Sequence, residues 1–293
     1  MKRTDIVMTE KLRAFLAFDL GHMDERLFPH RLADLRYSDD PDLLLDLYYP
    51  QEPRETYPVF LLVFGGGWVS GFRRSKYVEA MLAPLRFGYA CAVAQYTLAL
   101  DDVFPRPISD LKRAVHFLHT HAQELHLDTS RLTLWGESAG GHLALETALL
   151  PDAALGLEGL STAVSGLVIF YPVTDVDTLN DQARRCGFAE SPLAADSVLG
   201  LFLGPRWQDA ETRRLASPVR FLRPDMPRLW LQHGDQDTLV PYLQSEELAR
   251  AMEARCPAVP FFYERAPGRL HTDPWFFTDE NLRRVLRFLE ETP

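Results

Sequence analysis

Apolar residues along this 293-residue chain fall into short continuous runs, separated by stretches in which they recur every three or four positions. Strands buried on both faces of a sheet read as unbroken apolar runs, whereas a helix with one buried face repeats with a 3.6-residue period. By that rule strands are predicted over residues 42–50, 57–68, 89–98, 131–135, 165–173, 227–235 and 259–266. Helices are predicted over 76–87, 107–126, from the end of the 131–135 strand through Leu150, and over 242–255. A last helix places Leu282, Val285, Leu286 and Leu289 on one face. Parallel strands need crossover connections, so this alternation predicts an α/β fold with a mostly parallel central sheet flanked by helices. Such sheets bind ligands outside the carboxyl ends of their strands, and candidate chemistry is therefore sought just after each strand.

Two regions break the rhythm. Residues 1 to about 40 read as an N-terminal helical arm. Residues from about 174 to 226 hold Pro192, Pro205, Pro218 and Pro224 among Phe188, Phe202, Trp207 and Phe221. They read as a small helical cap inserted over the sheet edge, and long insertions inside compact domains are usually functional. The expectation is one domain over residues 1–293.

The chemistry concentrates after three strands. Gly136-Glu137-Ser138-Ala139-Gly140 stands where a strand passes directly into a helix, the context in which Gly-x-Ser-x-Gly forms a nucleophile elbow. A serine hydroxyl is a weak nucleophile without a base, and that base needs an orienting acid. On this kind of sheet the chain order should be serine, acid, histidine. Asp235 and Asp237 follow the next-to-last strand and His271 follows the last; Asp237 is the expected acid, with Asp235 tying down the loop. An acyl-transfer site also needs donors for an oxyanion. The glycines of Phe64-Gly65-Gly66-Gly67-Trp68 follow an early strand, and the amides of Gly65, Gly66 and Ala139 are the expected donors. Asp175 is expected to brace its loop, or to serve as the acid if Asp237 does not. Glu137 is expected to pair with an arginine or a backbone group beneath the site.

These segments together resemble an α/β-hydrolase of the esterase/lipase type, in the branch of hormone-sensitive-lipase-like carboxylesterases, acetylxylan and feruloyl-type esterases, and kynurenine formamidases. "GESAGGHLA", "YPVTD", "HGDQDTLVP" and the late histidine carry the resemblance, which spans roughly residues 43–289. One departure is Phe64, where the family motif usually has histidine before its glycines. The resemblance implies a serine hydrolase that cleaves small acyl or aromatic esters through an acyl-enzyme, with no cofactor and no metal. An amidase or peptidase such as a formamidase is the alternative within the fold, and a non-catalytic binding protein the alternative outside enzymes. Trp68, Trp275, Phe188 and Trp207 are candidates to line a substrate pocket, each against a plain packing role.

Composition narrows the partners. Asp and Glu number 41 against 31 Lys and Arg, a net charge of −10, which disfavours a nucleic-acid surface. The 3 cysteines are far apart and outline neither a zinc site nor a disulfide framework. No apolar run is long enough to span a bilayer, and the N-terminus lacks a signal-peptide pattern, so a cytoplasmic location is expected. His116, His119 and His121 share a helix without an acidic or cysteine partner and read as a solvated flank; His142 reads as a packing residue, and Arg184 and Arg185 as solvated. The expected partner is a small-molecule ester; the oligomeric state is open, a homodimer being one expectation.

Overall fold

The computed structural model describes residues 12–13, 16–17, 19–189 and 192–291. Its strands are β1 (Arg31–Arg36), β2 (Leu44–Tyr48), β3 (Tyr57–Val63), β4 (Ala90–Ala94), β5 (Leu127–Glu137), β6 (Gly166–Phe170), β7 (Arg228–Gly234) and β8 (Phe261–Ala266). All lie in one sheet in the order β1-β2-β4-β3-β5-β6-β7-β8. β1, β2 and β4 pair antiparallel, and the strands from β4 through β8 run parallel. The continuous apolar runs behave as expected: every residue of β3, β4 and β6 is buried.

Helices cover both faces. They are α1 (Lys76–Met81), α2 (Arg106–Thr120), α3 (Ala139–Leu149), α4 (Leu179–Arg185), α5 (Val198–Leu203), α6 (Ala210–Leu215), α7 (Leu243–Arg255) and α8 (Asp279–Glu291). α2 buries Ile108, Leu111, Val115 and Leu118 along one face. α3 is different, for it packs against β5, β6, α2 and the turn at Pro218–Phe221, and so is buried almost all round. Its small residues and glycines permit that close approach. Among the described residues no helix is long and apolar enough to cross a membrane.

Two expectations need correction. Within the N-terminal stretch expected to be a helical arm, residues 31–36 form the edge strand β1. Its apolar pattern is hidden by a register shift between Leu32 and Leu35, where Asp34 adopts φ 59°. A bulge of this kind spoils the two-residue alternation by which a strand is recognised. Residues 1–11, 14–15 and 18 of that arm lie outside the described residues. The helix expected over 76–87 breaks after α1 into a 3-10 turn, Ala83–Phe87, because Pro84 cannot donate an interior helical hydrogen bond. Between Thr174 and Met226 the regular elements are α4, α5, α6 and 3-10 turns, in keeping with a helical insertion.

The connectivity positions the chemistry. From β3 the chain goes to β4 on one side and returns to β5 on the other. Loops leaving β3 and β5 therefore diverge at one point, opening a crevice at their carboxyl ends. Phe64 to Trp68 leaves β3 there, and Ser138 leaves β5.

Candidate active site

Ser138 sits between β5 and α3 with φ 51° and ψ −125°. Such a conformation costs a non-glycine residue roughly 1–3 kcal/mol and persists only where its surroundings impose it. The flanking glycines show how. A Cβ on Gly136 would lie 2.3 Å from the Gly140 carbonyl oxygen, and one on Gly140 would lie 2.0 Å from that of Val63. The elbow is thus wedged against β3, and the Ser138 amide donates to the Phe170 carbonyl at 2.9 Å. Gly140→Ala should cost about 3 kcal/mol or more, since backbone atoms must move to admit the methyl group. A urea titration showing a lower midpoint at an unchanged slope is the expected result.

Three distant side chains meet at this elbow. His271 Nε2 lies 2.9 Å from Ser138 Oγ, and His271 Nδ1 lies 2.6 Å from Asp237 Oδ2. The carboxylate can only accept, so Nδ1 carries the proton and Nε2 is free to accept from the hydroxyl. Asp237 is held from all sides: Oδ1 accepts from the amides of Leu239 and Val240 at 2.8 and 2.9 Å, and His233 Nε2 stands 3.2 Å from Oδ2. Burial pushes this carboxyl up, but hydrogen bonds from His233 and His271 outweigh burial and hold it well below the usual carboxylate range. Asp235 instead accepts from the Gly268 amide at 2.7 Å and so ties the acid loop to the loop bearing His271. Asp175 pairs with Arg220 at 2.9 Å and receives the Asp177 amide, which braces the helical insertion.

The glycine loop faces the same elbow. Gly66 has φ 118° and Gly67 φ 59°, values suited to glycine. A Cβ on Gly65 would touch Ser138 Cβ at 3.4 Å. Among the described residues the amides of Gly66 and Gly67 meet no acceptor, and the Ala139 amide, at the first position of α3, has none within its helix. Phe64 is buried, stacks on Tyr96 with centroids 4.4 Å apart, and its carbonyl accepts the Tyr96 hydroxyl at 2.8 Å. Aromatic stacking therefore anchors the loop start.

Of the pocket candidates, Trp68 is a core residue. It is buried, stacks on Phe202 at 5.1 Å, and donates from Nε1 to His142 Nδ1 at 3.1 Å. His142 in turn donates from Nε2 to the Ala216 carbonyl at 3.0 Å, so one imidazole joins the glycine loop, α3 and the insertion. Burial lowers its pKa to about 4, which keeps the ring neutral as both contacts require. Trp207 packs partly buried against the core. Trp275 is half-buried, with the Arg269 guanidinium 5.1 Å over its ring. Phe188 lines a hollow of about 420 Å³ bordered also by Cys186, Pro192, Asp237, Thr238 and Leu239.

Among the described residues Glu137 pairs with no arginine. Its Oε2 accepts the hydroxyls of Tyr77 at 2.5 Å and Tyr171 at 2.6 Å, while Oε1 has no partner at hydrogen-bonding distance among the described residues. Of the arginine or backbone group expected, the arginine is replaced by hydroxyls from α1 and from the residue after β6, while the Gly65 amide also acts on the carboxyl. His233, Tyr77 and Tyr171 were not singled out from sequence. His233 carries one usable signal, standing four residues before the acid at a strand end. His116 and His119 hold the 161–163 segment through the Ser161 amide and the Ala163 carbonyl. Arg184 is exposed beside Asp181.

The family model described as BD-FAE matches residues 45–252. The chain belongs to the BD-FAE family. It is an α/β-hydrolase of the esterase/lipase type. Its similarity to the probable carboxylic ester hydrolase LipM of Mycobacterium tuberculosis is 31% identity over 193 residues, 65% of this chain and 43% of that protein. Similarity to esterase LipQ of the same organism is 27% over 246 residues, 76% of this chain and 54% of that protein. The chain thus spans about half the length of these curated relatives. Among solved structures, a truncated carbohydrate esterase from gut microbiota superposes with TM-score 0.77 at 21% identity, covering 92% of this chain and 98% of that one. Esterase B from Lactobacillus rhamnosis gives 0.73 at 23% identity, covering 89% of this chain and 84% of that one. At these identities the structures establish a shared fold for this BD-FAE member.

Proposed function

We propose that this chain is a serine carboxylesterase acting on small acyl or aromatic esters through a Ser138-His271-Asp237 triad. The observation that carries this reading is the unbroken hydrogen-bonded chain from Ser138 Oγ through His271 to Asp237, built on a strained elbow. His271 Nε2 takes the hydroxyl proton as Oγ attacks the ester carbonyl. Asp237 holds the imidazole in the required tautomer and favours its cation. The amides of Gly66 and Ala139 are assigned to the oxyanion. Gly65, the other donor expected from sequence, is kept beside them: a Cβ there would lie 3.4 Å from Ser138 Cβ, and its amide also draws the Glu137 carboxyl down. Loss of one such donor typically costs ~10²–10³ in rate. His271 then gives its proton to the leaving alcohol, and water repeats the cycle on the acyl-serine.

Apolar surface around the site supports the substrate class. Leu239 and Leu270 are 63% and 54% exposed on the loops bearing Asp237 and His271, and Phe188 faces the neighbouring hollow. Exposed leucines flanking an acid and a base suit an apolar acyl or aromatic group. The test is a panel of p-nitrophenyl esters of rising acyl length, with N-formyl and aminoacyl amides beside it, and fluorophosphonate labelling read by mass spectrometry. Labelling at Ser138 with esters turned over faster than amides is the expected result. A protein that neither labels nor hydrolyses any of these substrates is a binding protein on the same fold.

A further inference from the structure

Directly before Ser138 the chain buries a carboxylate that meets no lysine or arginine among the described residues. Glu137 is fully buried, and its contacts within hydrogen-bonding distance are the hydroxyls of Tyr77 from α1 and Tyr171 from the end of β6. A buried carboxylate without a cation is costly, and a glutamine or leucine there would avoid the cost. Tyr171 also packs its ring on the imidazole of His271, with centroids 4.6 Å apart, and is itself held at φ 41°. One residue thus grips the carboxylate with its hydroxyl and the base with its ring.

Resting on the triad reading above, we propose that Glu137 is a positioning residue for the reaction: its negative charge, held by Tyr77 and Tyr171, favours the imidazolium that forms on His271 when Ser138 gives up its proton. The cation that this carboxylate faces is transient and appears during turnover. Asp237 supplies one charge to the Nδ1 side of the ring, and Glu137 supplies a second from beneath the elbow. In a water-poor interior such a charge acts more strongly than in solvent.

The charge is available only when Glu137 is ionised. Burial pushes its carboxyl up to about 7, against the pull of the Tyr171 and Tyr77 hydroxyls, the His271 charge and the Gly65 amide. The titratable groups facing it are Tyr77 from α1, Tyr96 beyond β4, Tyr171 from β6 and His271 from the loop after β8. The tyrosines are themselves raised and remain neutral donors throughout the working range. The carboxylate therefore switches within the range in which an esterase is assayed.

The experiment compares kcat/KM for p-nitrophenyl acetate from pH 5 to 9 in the wild type, Glu137→Gln, Tyr171→Phe and Tyr77→Phe, with Ser138→Ala as the blank. Glu137→Gln removes the charge at every pH; its plateau should fall about tenfold and its acid limb should move to lower pH. Tyr171→Phe and Tyr77→Phe keep the carboxylate but remove a donor, so it holds its proton longer; their acid limbs should move up by about half a unit. Opposite shifts are not produced by loosened packing alone. Acid limbs that stay in place, or that all move in one direction, overturn the inference, as does a plateau that rises in Glu137→Gln. If Glu137→Gln does not fold, the two tyrosine variants decide by the same criterion. A wild type without Ser138-dependent hydrolysis strikes the esterase reading instead, whereas a hydrolysing wild type with unmoved limbs strikes this inference alone.

Discussion

Ser138→Ala is expected to lower kcat for a p-nitrophenyl ester by about 10⁶-fold, the scale on which a serine hydrolase loses rate with its nucleophile. No other hydroxyl hydrogen-bonds His271 Nε2 among the described residues, so no neighbour can substitute. The protein should stay folded. Alanine at φ 51° bears the same backbone strain as serine, and the lost Oγ bond is partly exposed. Ser138→Gly should lose activity to the same extent yet gain about 1 kcal/mol of stability, because glycine occupies that region without penalty. Steady-state kinetics and a thermal melt on both variants check the pair. An alanine variant that retains wild-type turnover removes the assignment of Ser138.

Asp237→Asn is the second large effect, with kcat expected to fall by about 10⁴-fold while KM changes little. The amide would meet His271 Nδ1, which now donates to Asp237 Oδ2 at 2.6 Å. An asparagine oriented with its NH₂ toward the ring favours the tautomer that presents a proton, instead of a lone pair, to Ser138. The same substitution should change the acid dependence of stability. In the folded protein the Asp237 carboxyl is held below its ordinary value. Its contribution is therefore present above the unfolded pKa of about 4 and is lost as pH falls below it. The wild-type thermal midpoint should drop more steeply than that of Asp237→Asn below about pH 4. Parallel acid profiles in differential scanning calorimetry would contradict this account.

Much of the site was legible because its three main residues each follow a strand. Continuous apolar runs mark parallel strands, and a chain that alternates strands with helices must bring those strand ends to one edge. Order along the chain set an acid before His271, and the end of β7 near Gly234 favoured Asp237, on the loop beyond it, over Asp235. The glycines flanking Ser138 were legible as a close approach, although which atoms they approach was not.

What stayed hidden depends on contacts across the chain. Tyr77 reaches Glu137 over 60 positions, and Trp68 reaches His142 over 74. A tryptophan after a glycine loop reads equally well as pocket lining or as core, and only the stacking on Phe202 separates the two. Glu137 needed a partner, and chemistry alone suggested an arginine or a backbone group; the fold offered two hydroxyls, with the Gly65 amide nearby. β1 escaped recognition because a bulge erased its alternation.

By itself the sequence determined the α/β layering, the elbow at Ser138 and the acid and histidine that follow later strands. Periodicity and chain order are local properties, and solvent reads them the same way in any fold built from them. Tertiary structure alone decided the environment of each charge, since burial and hydrogen-bond partners are set by elements that meet only after folding. That is why His233 behind Asp237, the tyrosines around Glu137 and the neutral His142 became visible only in three dimensions.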